Sequence, residues 1–273
     1  MPYVVSLVIA AVMTVASIAG LLFGTTGLYG TQTNLFAAFL GQDVLNLTVG
    51  LPMLLGAMWL ARRGALIGQL LWPGALFYIL YDYAFYVLGG PVNVLFLAYL
   101  ALVTASAYTM VALVLAIDAN AARRALGAAV PARAIAGTLI VIAALFTVLW
   151  TVAIFTTALG GPTDPIGRVV YTADLTIQLP ALFLGGLMLW RRRAIGYVVA
   201  PGLLLQAGVY LLGLSAICLT GSSPTGAPAT VADWSPGLLV GAVTLGLLAF
   251  YVRAPLRHDI DSGAPQHREQ RAW

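Results

Sequence analysis

The sequence predicts an all-α integral membrane protein of eight transmembrane helices, built as two tandem parallel four-helix repeats. Three observations carry that prediction. Hydrophobic residues make up 61% of the 273 and charged residues only 8%, with a mean hydropathy of +0.97, more apolar surface than a water-soluble domain of this length needs. Eight apolar runs are long enough to cross a bilayer, and the chain matches itself without gaps at an offset of 128 residues.

A crossing helix needs about 20 apolar residues to traverse a hydrocarbon core of about 30 Å. Runs of that kind, bounded by charge, Gly or Pro, fall at 3–24, 44–61, 65–88, 92–117, 134–158, 172–190, 194–219 and 233–252. None alternates in polarity as the strands of a membrane barrel do. The first run lacks a basic leading region and a small-residue cleavage site, so it reads as a helix and not as a signal peptide. The segments between runs set the expected orientation. All thirteen basic residues are arginines. Arg62 and Arg63 follow the second run, Arg123, Arg124 and Arg133 the fourth, Arg191, Arg192 and Arg193 the sixth, and Arg253, Arg257, Arg268 and Arg271 the eighth, leaving only Arg168 on the opposite side. The positive-inside bias places those segments and both termini in the cytoplasm, in a plasma membrane. The opposite connections, such as Thr220-Gly-Ser-Ser-Pro-Thr-Gly-Ala-Pro-Ala, have the composition of short solvated loops. The expected organisation is a first four-helix unit over 1–117, a cytoplasmic linker over 118–133, a second unit over 134–252 and a polar tail over 253–273, too poor in apolar residues to fold alone.

The offset places Asn46-Leu-Thr-Val-Gly-Leu-Pro52 over Asp174-Leu-Thr-Ile-Gln-Leu-Pro180. In the same register Arg63 meets Arg191, Ile67-Gly68 meets Ile195-Gly196 and Pro73-Gly74 meets Pro201-Gly202. Apolar helices align many leucines by chance, but not two prolines, two glycines and an arginine together. Each unit has an even number of spans, so the units share one topology, related by a pseudo-two-fold axis along the membrane normal.

The run Asp174 to Pro180, followed by Leu189-Trp-Arg-Arg-Arg193, Gly196-Tyr197 and Pro201, resembles a pattern in uncharacterised multi-pass membrane proteins of prokaryotes, as does Leu60-Ala-Arg-Arg-Gly64 with Tyr78 to Tyr86. The resemblance covers the second, third, sixth and seventh runs. It implies an eight-helix membrane fold and brings no activity or site residue with it.

Carboxylates inside spans are costly and face a bundle interior or an aqueous cavity. Asp82 and Asp174 are two such residues, and at a rise of about 1.5 Å per residue each lies about 25 Å from the arginine-bearing end of its run. Asp43 is expected at the interface. At the offset, Asp82 corresponds to Tyr210 and Asp174 to Asn46, while i,i+4 spacing adds Tyr78, Gln178 and Gln206 to the same faces. Asn46, Tyr78 and Asp82 with Asp174, Gln178, Gln206 and Tyr210 therefore form the expected lining of an outward-facing polar cavity. Two carboxylates in low dielectric do not both ionise without a cation, which makes proton, cation or small-solute handling the expected chemistry. The competing reading has these groups hydrogen-bonding helices together in a non-transporting partner such as an assembly factor or sensor subunit. Pro52, Pro73, Pro180 and Pro201 mark kinks or hinges, the tyrosines from Tyr78 to Tyr86 are expected mainly in the outer aromatic belt, with Tyr78 the one at the cavity, and Gly20, Gly24, Gly185 and Gly186 mark close helix packing.

Other chemistries lose their residues. No span contains histidine, so imidazole-built metal or haem sites are not expected. Without lysine there is no Schiff base, and Cys218 alone forms neither a disulfide nor a paired-thiol centre. Phosphate-binding glycine loops and a membrane Ser-His pair are absent. The arginines come in short clusters between apolar runs, which argues against nucleic acid as a partner. Tyr81-Asp82 resembles one motif of the intramembrane aspartyl proteases, but the Gly-x-Gly-Asp of that family is missing, with Asp174 standing in Ala173-Asp-Leu. The expected partners are the lipid bilayer and a small solute, proton or cation, with no cofactor.

Overall fold

The computed structural model of the chain describes residues 1–24, 27–29, 33–162, 165–219 and 230–261. Among them there is no strand. Helix α1 covers Pro2–Phe23. Helix α2, Thr33–Leu45, runs through a π-helical turn at Asn46–Gly50 into α3, Leu51–Arg62. Then come α4 (Leu66–Gly89), α5 (Phe96–Ala116), the short α6 (Ala119–Leu126) and α7 (Ala132–Ala158). Helix α8, Pro165–Ala173, passes through a second π-helical turn at Asp174–Gln178 into α9, Leu179–Trp190, and α10 (Ala194–Leu219) and α11 (Val231–Asp261) complete the chain.

Seven helical stretches are long and apolar enough to cross a membrane: Pro2–Phe23, Ala37–Arg62, Phe96–Ala116, Ala132–Ala158, Gly167–Trp190, Ala194–Cys218 and Trp234–Arg253. The chain is thus a multi-pass, all-α membrane protein with lipid around it. The second stretch extends ahead of the expected 44, because α2 runs on through Gln42 and Asp43, which end the apolar run in sequence but turn inward and are buried. The sixth expected run likewise starts earlier, beyond an exposed Arg168.

Helix α4 equals these seven in length but carries Asp82 and a row of tyrosines. Its position explains why. It packs against α3, α5 and α10, and every residue from Trp72 to Tyr86 is buried. A helix enclosed by protein has no lipid-facing stripe to keep apolar, so it can carry Asp82 and a row of tyrosines. The expected aromatic belt is therefore corrected. Tyr78, Tyr81, Tyr83 and Tyr86 are each 2% exposed or less; Tyr83 stacks on Tyr86 and on Tyr99 of α5, and Tyr86 packs tilted against Tyr99 and Phe39 of α2, at centroid separations of 4.8 to 5.8 Å.

Two apolar cores result. One gathers α1, α3 and α5 around one side of α4, the other gathers α6, α7, α9 and α10. They meet where α4 crosses α10. There Gly74 and Gly202 lie backbone to backbone, and a Cβ added to either would fall on the other's Cα. Pro73 and Pro201 precede these glycines inside their helices.

At the arginine-bearing end, α3 and α4 are joined through Gly64 at φ +79°, and α9 and α10 through Arg192 at φ +52°. The α5–α7 connection, expected as a plain linker, contains α6. It packs on α10 and α11 through the buried Ala122 and Leu126, leaving Arg123 and Arg124 exposed. Asp118 caps it, accepting from the N–H groups of Asn120 at 2.9 Å and Ala121 at 3.0 Å, with Arg124 at 4.0 Å. The Ala121 N–H above all, together with that of Asn120 and the Arg124 charge, holds the Asp118 carboxyl below the usual carboxylate range. A lowered folded-state value stabilises above the ordinary Asp value of about 3.9 and the contribution is lost as pH falls through the lowered value. Asp118→Ala is expected to speed amide exchange at Asn120 and Ala121 at neutral pH, leaving exchange in α4 and α10 unchanged; equal acceleration in all three helices would contradict a local cap. Helix α11 continues to Asp261, past the expected start of the tail. Residues 262–273 lie outside the described residues.

Candidate functional site

The two π-helical turns are built alike. Pro52 and Pro180 sit in the first turn of α3 and α9. A proline there has no N–H to give, and its ring clashes with the carbonyl four residues earlier. Widening the preceding turn relieves both problems. The N–H of Leu51 reaches back to the Asn46 carbonyl and that of Leu179 to the Asp174 carbonyl, each five residues away. The hydroxyls of Thr48 and Thr176 bond to the carbonyls of Val44 and Thr172 at 2.7 and 2.6 Å. These prolines therefore produce widened turns that aim Asn46 and Gly50, and Asp174 and Gln178, into the bundle.

What the turns meet differs. Asn46 donates through Nδ2 to Asp82 Oδ2 at 2.7 Å, and Gly50 leaves room for the Tyr78 ring, which a Cβ there would strike at 2.9 Å. Asn46 Oδ1, Asp82 Oδ1 and the Tyr78 hydroxyl have no partner among the described residues, and Asp82 and Asn46 are 0% exposed. At the other turn, Gln178 Nε2 donates to Gln206 Oε1 at 2.7 Å. Asp174 accepts from the Tyr81 hydroxyl on Oδ1 and from the Trp150 indole N–H on Oδ2, both at 2.6 Å. Tyr81 meets Tyr210 edge-on at 4.8 Å, with Tyr78 at 6.4 Å from the same ring.

A cavity of about 300 Å³ opens beside Asp174. It runs from Ala37 and Ala38 of α2 and Gly167 of α8, at the end of the bundle opposite the arginine clusters, to Gln178 and Leu179. Of the seven expected residues, Asp174, Gln178 and Tyr210 line it, while Asn46, Tyr78, Asp82 and Gln206 lie outside its lining. Gln206 stands behind Gln178, and Asp82 is held by Asn46. Sequence reasoning missed Gln42, Tyr81 and Trp150, which also line the cavity. Trp150 gave a signal in the form of an indole inside an apolar run, but its target lies on another helix. Tyr81 was hidden among tyrosines assigned to the belt.

Asp43 is corrected from an interfacial to a buried residue, 1% exposed. It accepts from the hydroxyls of Tyr29 at 2.5 Å and Tyr86 at 3.0 Å. Gly20 of α1 makes space for this pair, since a Cβ there would fall on the Tyr29 hydroxyl and the Asp43 carboxylate. Asp43, Asp82 and Asp174 thus have separate sets of hydrogen-bond donors. No His, Cys, Asp or Glu grouping able to hold a metal ion occurs among the described residues. The chain matches no family model, no curated protein and no solved structure.

Proposed function

We propose that the chain is a permease for a small solute or ion, with eight spans and two tandem halves, and that Asp174, Gln178 and Tyr210 line its binding cavity. The cavity beside Asp174 is the observation that carries this reading, because a carboxylate at an internal cavity in a membrane bundle is a costly feature that packing alone does not require. The eighth span is α4, whose length suits a crossing and whose polar residues are shielded by its neighbours.

The tandem halves are supported by form recurring at 128 residues. The π turns begin at 46 and 174, the positive-φ turns fall at 64 and 192, Gly50 faces Tyr78 as Gln178 faces Gln206, and Gly74 meets Gly202, its own equivalent. Equivalent residues touch each other only where a two-fold axis passes, so this contact supports a pseudo-two-fold axis along the membrane normal with α4 and α10 beside it. The arginine bias supports cytoplasmic termini in a plasma membrane.

The test is flux in proteoliposomes under imposed proton and monovalent-cation gradients. Asp174→Asn is expected to cut flux by about tenfold or more, the equivalent of one hydrogen bond to a charged group. Asp82→Asn is expected to cut it less, since Asp82 lies off the cavity. Flux equal to that of empty liposomes under every gradient, an organic amine's included, or unchanged flux in Asp174→Asn, would sink the reading. A second reading, a non-transporting membrane partner, draws on the closed environments of Asp43 and Asp82, each fixed by neighbouring donors; it is favoured if no flux is seen and both variants lose only stability.

A further inference from the structure

We infer that the cavity beside Asp174 takes a small organic ammonium ion, a positively charged N–H donor carried on an apolar body. The assignment deepens the permease reading and rests on it for the biological role, but binding can be tested without flux.

Charge comes first. Asp174 lies 8% exposed on the cavity wall, and among the described residues the ion pair formed is Arg124 with Asp118, far along the chain at the other end of the bundle. Arg168, the arginine nearest to Asp174 in the sequence, is exposed and forms no ion pair among the described residues. The carboxylate therefore has hydrogen-bond donors but no counter-charge. Each carboxylate oxygen has about two acceptor positions; Tyr81 occupies one on Oδ1 and Trp150 one on Oδ2. One position on each oxygen stays free.

The remaining polar capacity has the same sign. Gln42 and Gln178 line the cavity, and the Oε1 atom of each lacks a partner among the described residues. Tyr81 and Trp150 are engaged by Asp174 and Gln178 Nε2 by Gln206, while the Gln42 amide and the Tyr210 hydroxyl lie against each other. The two Oε1 atoms are themselves buried, so what an incoming group meets is the Asp174 carboxylate, with an acceptor position left on each oxygen, and it must bring donors there. An anion would face Asp174 without a counter-charge, and a neutral polyol would leave the carboxylate's charge unmatched.

The walls decide the rest. Phe85, Phe146 and Leu182 join Tyr81, Trp150 and Tyr210 in lining the space, and aromatic walls hold an organic cation by ring electrostatics as well as by contact. A bare metal ion would find one carboxylate and too few oxygen ligands there. The volume is at the small end of known ligand pockets, which sets the size at a single-ring amine or smaller.

The purified chain in detergent would be titrated calorimetrically at neutral pH with phenethylamine, with the neutral isostere 2-phenylethanol and with phenylacetate. Saturable binding of the amine is expected, at least about tenfold weaker in Asp174→Asn, with neither the alcohol nor the acid competing. Ala207→Leu, which narrows the cavity from α10 and leaves the carboxylate in place, is expected to weaken the amine as well and serves if Asp174→Asn fails to fold. Equal affinity for amine and alcohol, or an amine affinity unmoved by both variants, would overturn the assignment. Labelled-amine uptake into proteoliposomes then separates the two readings. Binding without uptake leaves the ligand class standing and removes the permease, whereas flux without amine binding does the reverse.

Discussion

Gly74→Leu is expected to destabilise the bundle strongly. A Cβ at 74 would fall on the Cα of Gly202, and on its carbonyl oxygen at 2.7 Å. The obstacle is backbone, so no side chain can swing aside and α4 must lift from α10. In a membrane, helices associate through close packing of small residues because lipid tails are as apolar as leucine, so separation forfeits the contact outright. Overpacking of this kind costs about 3 kcal/mol, the upper part of the usual range. Gly56→Leu is the matched control, since a Cβ there meets nothing within 4 Å. Thermal unfolding in detergent should show a marked fall for Gly74→Leu and little change for Gly56→Leu. Gly74→Ala with Gly202→Ala should cost less than the sum of the two, because the first alanine already opens the gap that the second needs. Strict additivity, or a Gly74→Leu protein as stable as the control, would mean that α4 and α10 do not rely on this approach.

The long apolar helices were legible because a bilayer demands about 20 apolar residues in one run whatever the neighbours are. Their polar ends were less so. Gln42 and Asp43 interrupt the hydropathy of α2, and only the presence of Tyr29, Tyr86 and α4 explains why the helix continues through them. The tyrosines of α4 were misplaced for the same reason: one helix viewed alone cannot reveal that α3, α5 and α10 surround it. That Asn46, Asp82, Gln178 and Gln206 belong to inward faces follows from i,i+4 spacing and the 128-residue offset, which are local and periodic, but that Asn46 meets Asp82 and Gln178 meets Gln206 depends on how the helices pack. Trp150 could not be anticipated, because its hydrogen bond to Asp174 exists only after α7 packs on α9. The short α6 was hidden by its arginines, which read as a topology signal, although Asp118 before an alanine-rich stretch is an N-cap pattern.

Asn46→Leu is expected to destabilise more than Asp82→Leu, and the double substitution to restore much of the loss. Asp82 is 0% exposed, and Asn46 is the donor to one of its oxygens while the other has no partner among the described residues. Removing the amide leaves a fully buried carboxylate without that bond, a loss of about 1–3 kcal/mol and more for a charged group. Removing the carboxylate instead strands a neutral amide, which is the smaller penalty. With leucine at both positions nothing polar is stranded, and the exchange of a polar pair for apolar groups of similar size can be nearly neutral. Unfolding midpoints of the two single variants and the double variant measure this coupling directly. Additive losses would show that Asn46 and Asp82 do not act as a pair. The same double variant separates packing from transport. If stability returns and flux returns with it, Asp82 holds α4 against the Asn46 turn and Asp174 alone serves the cavity; if stability returns but flux does not, the buried carboxylate acts in transport despite lying off the cavity lining.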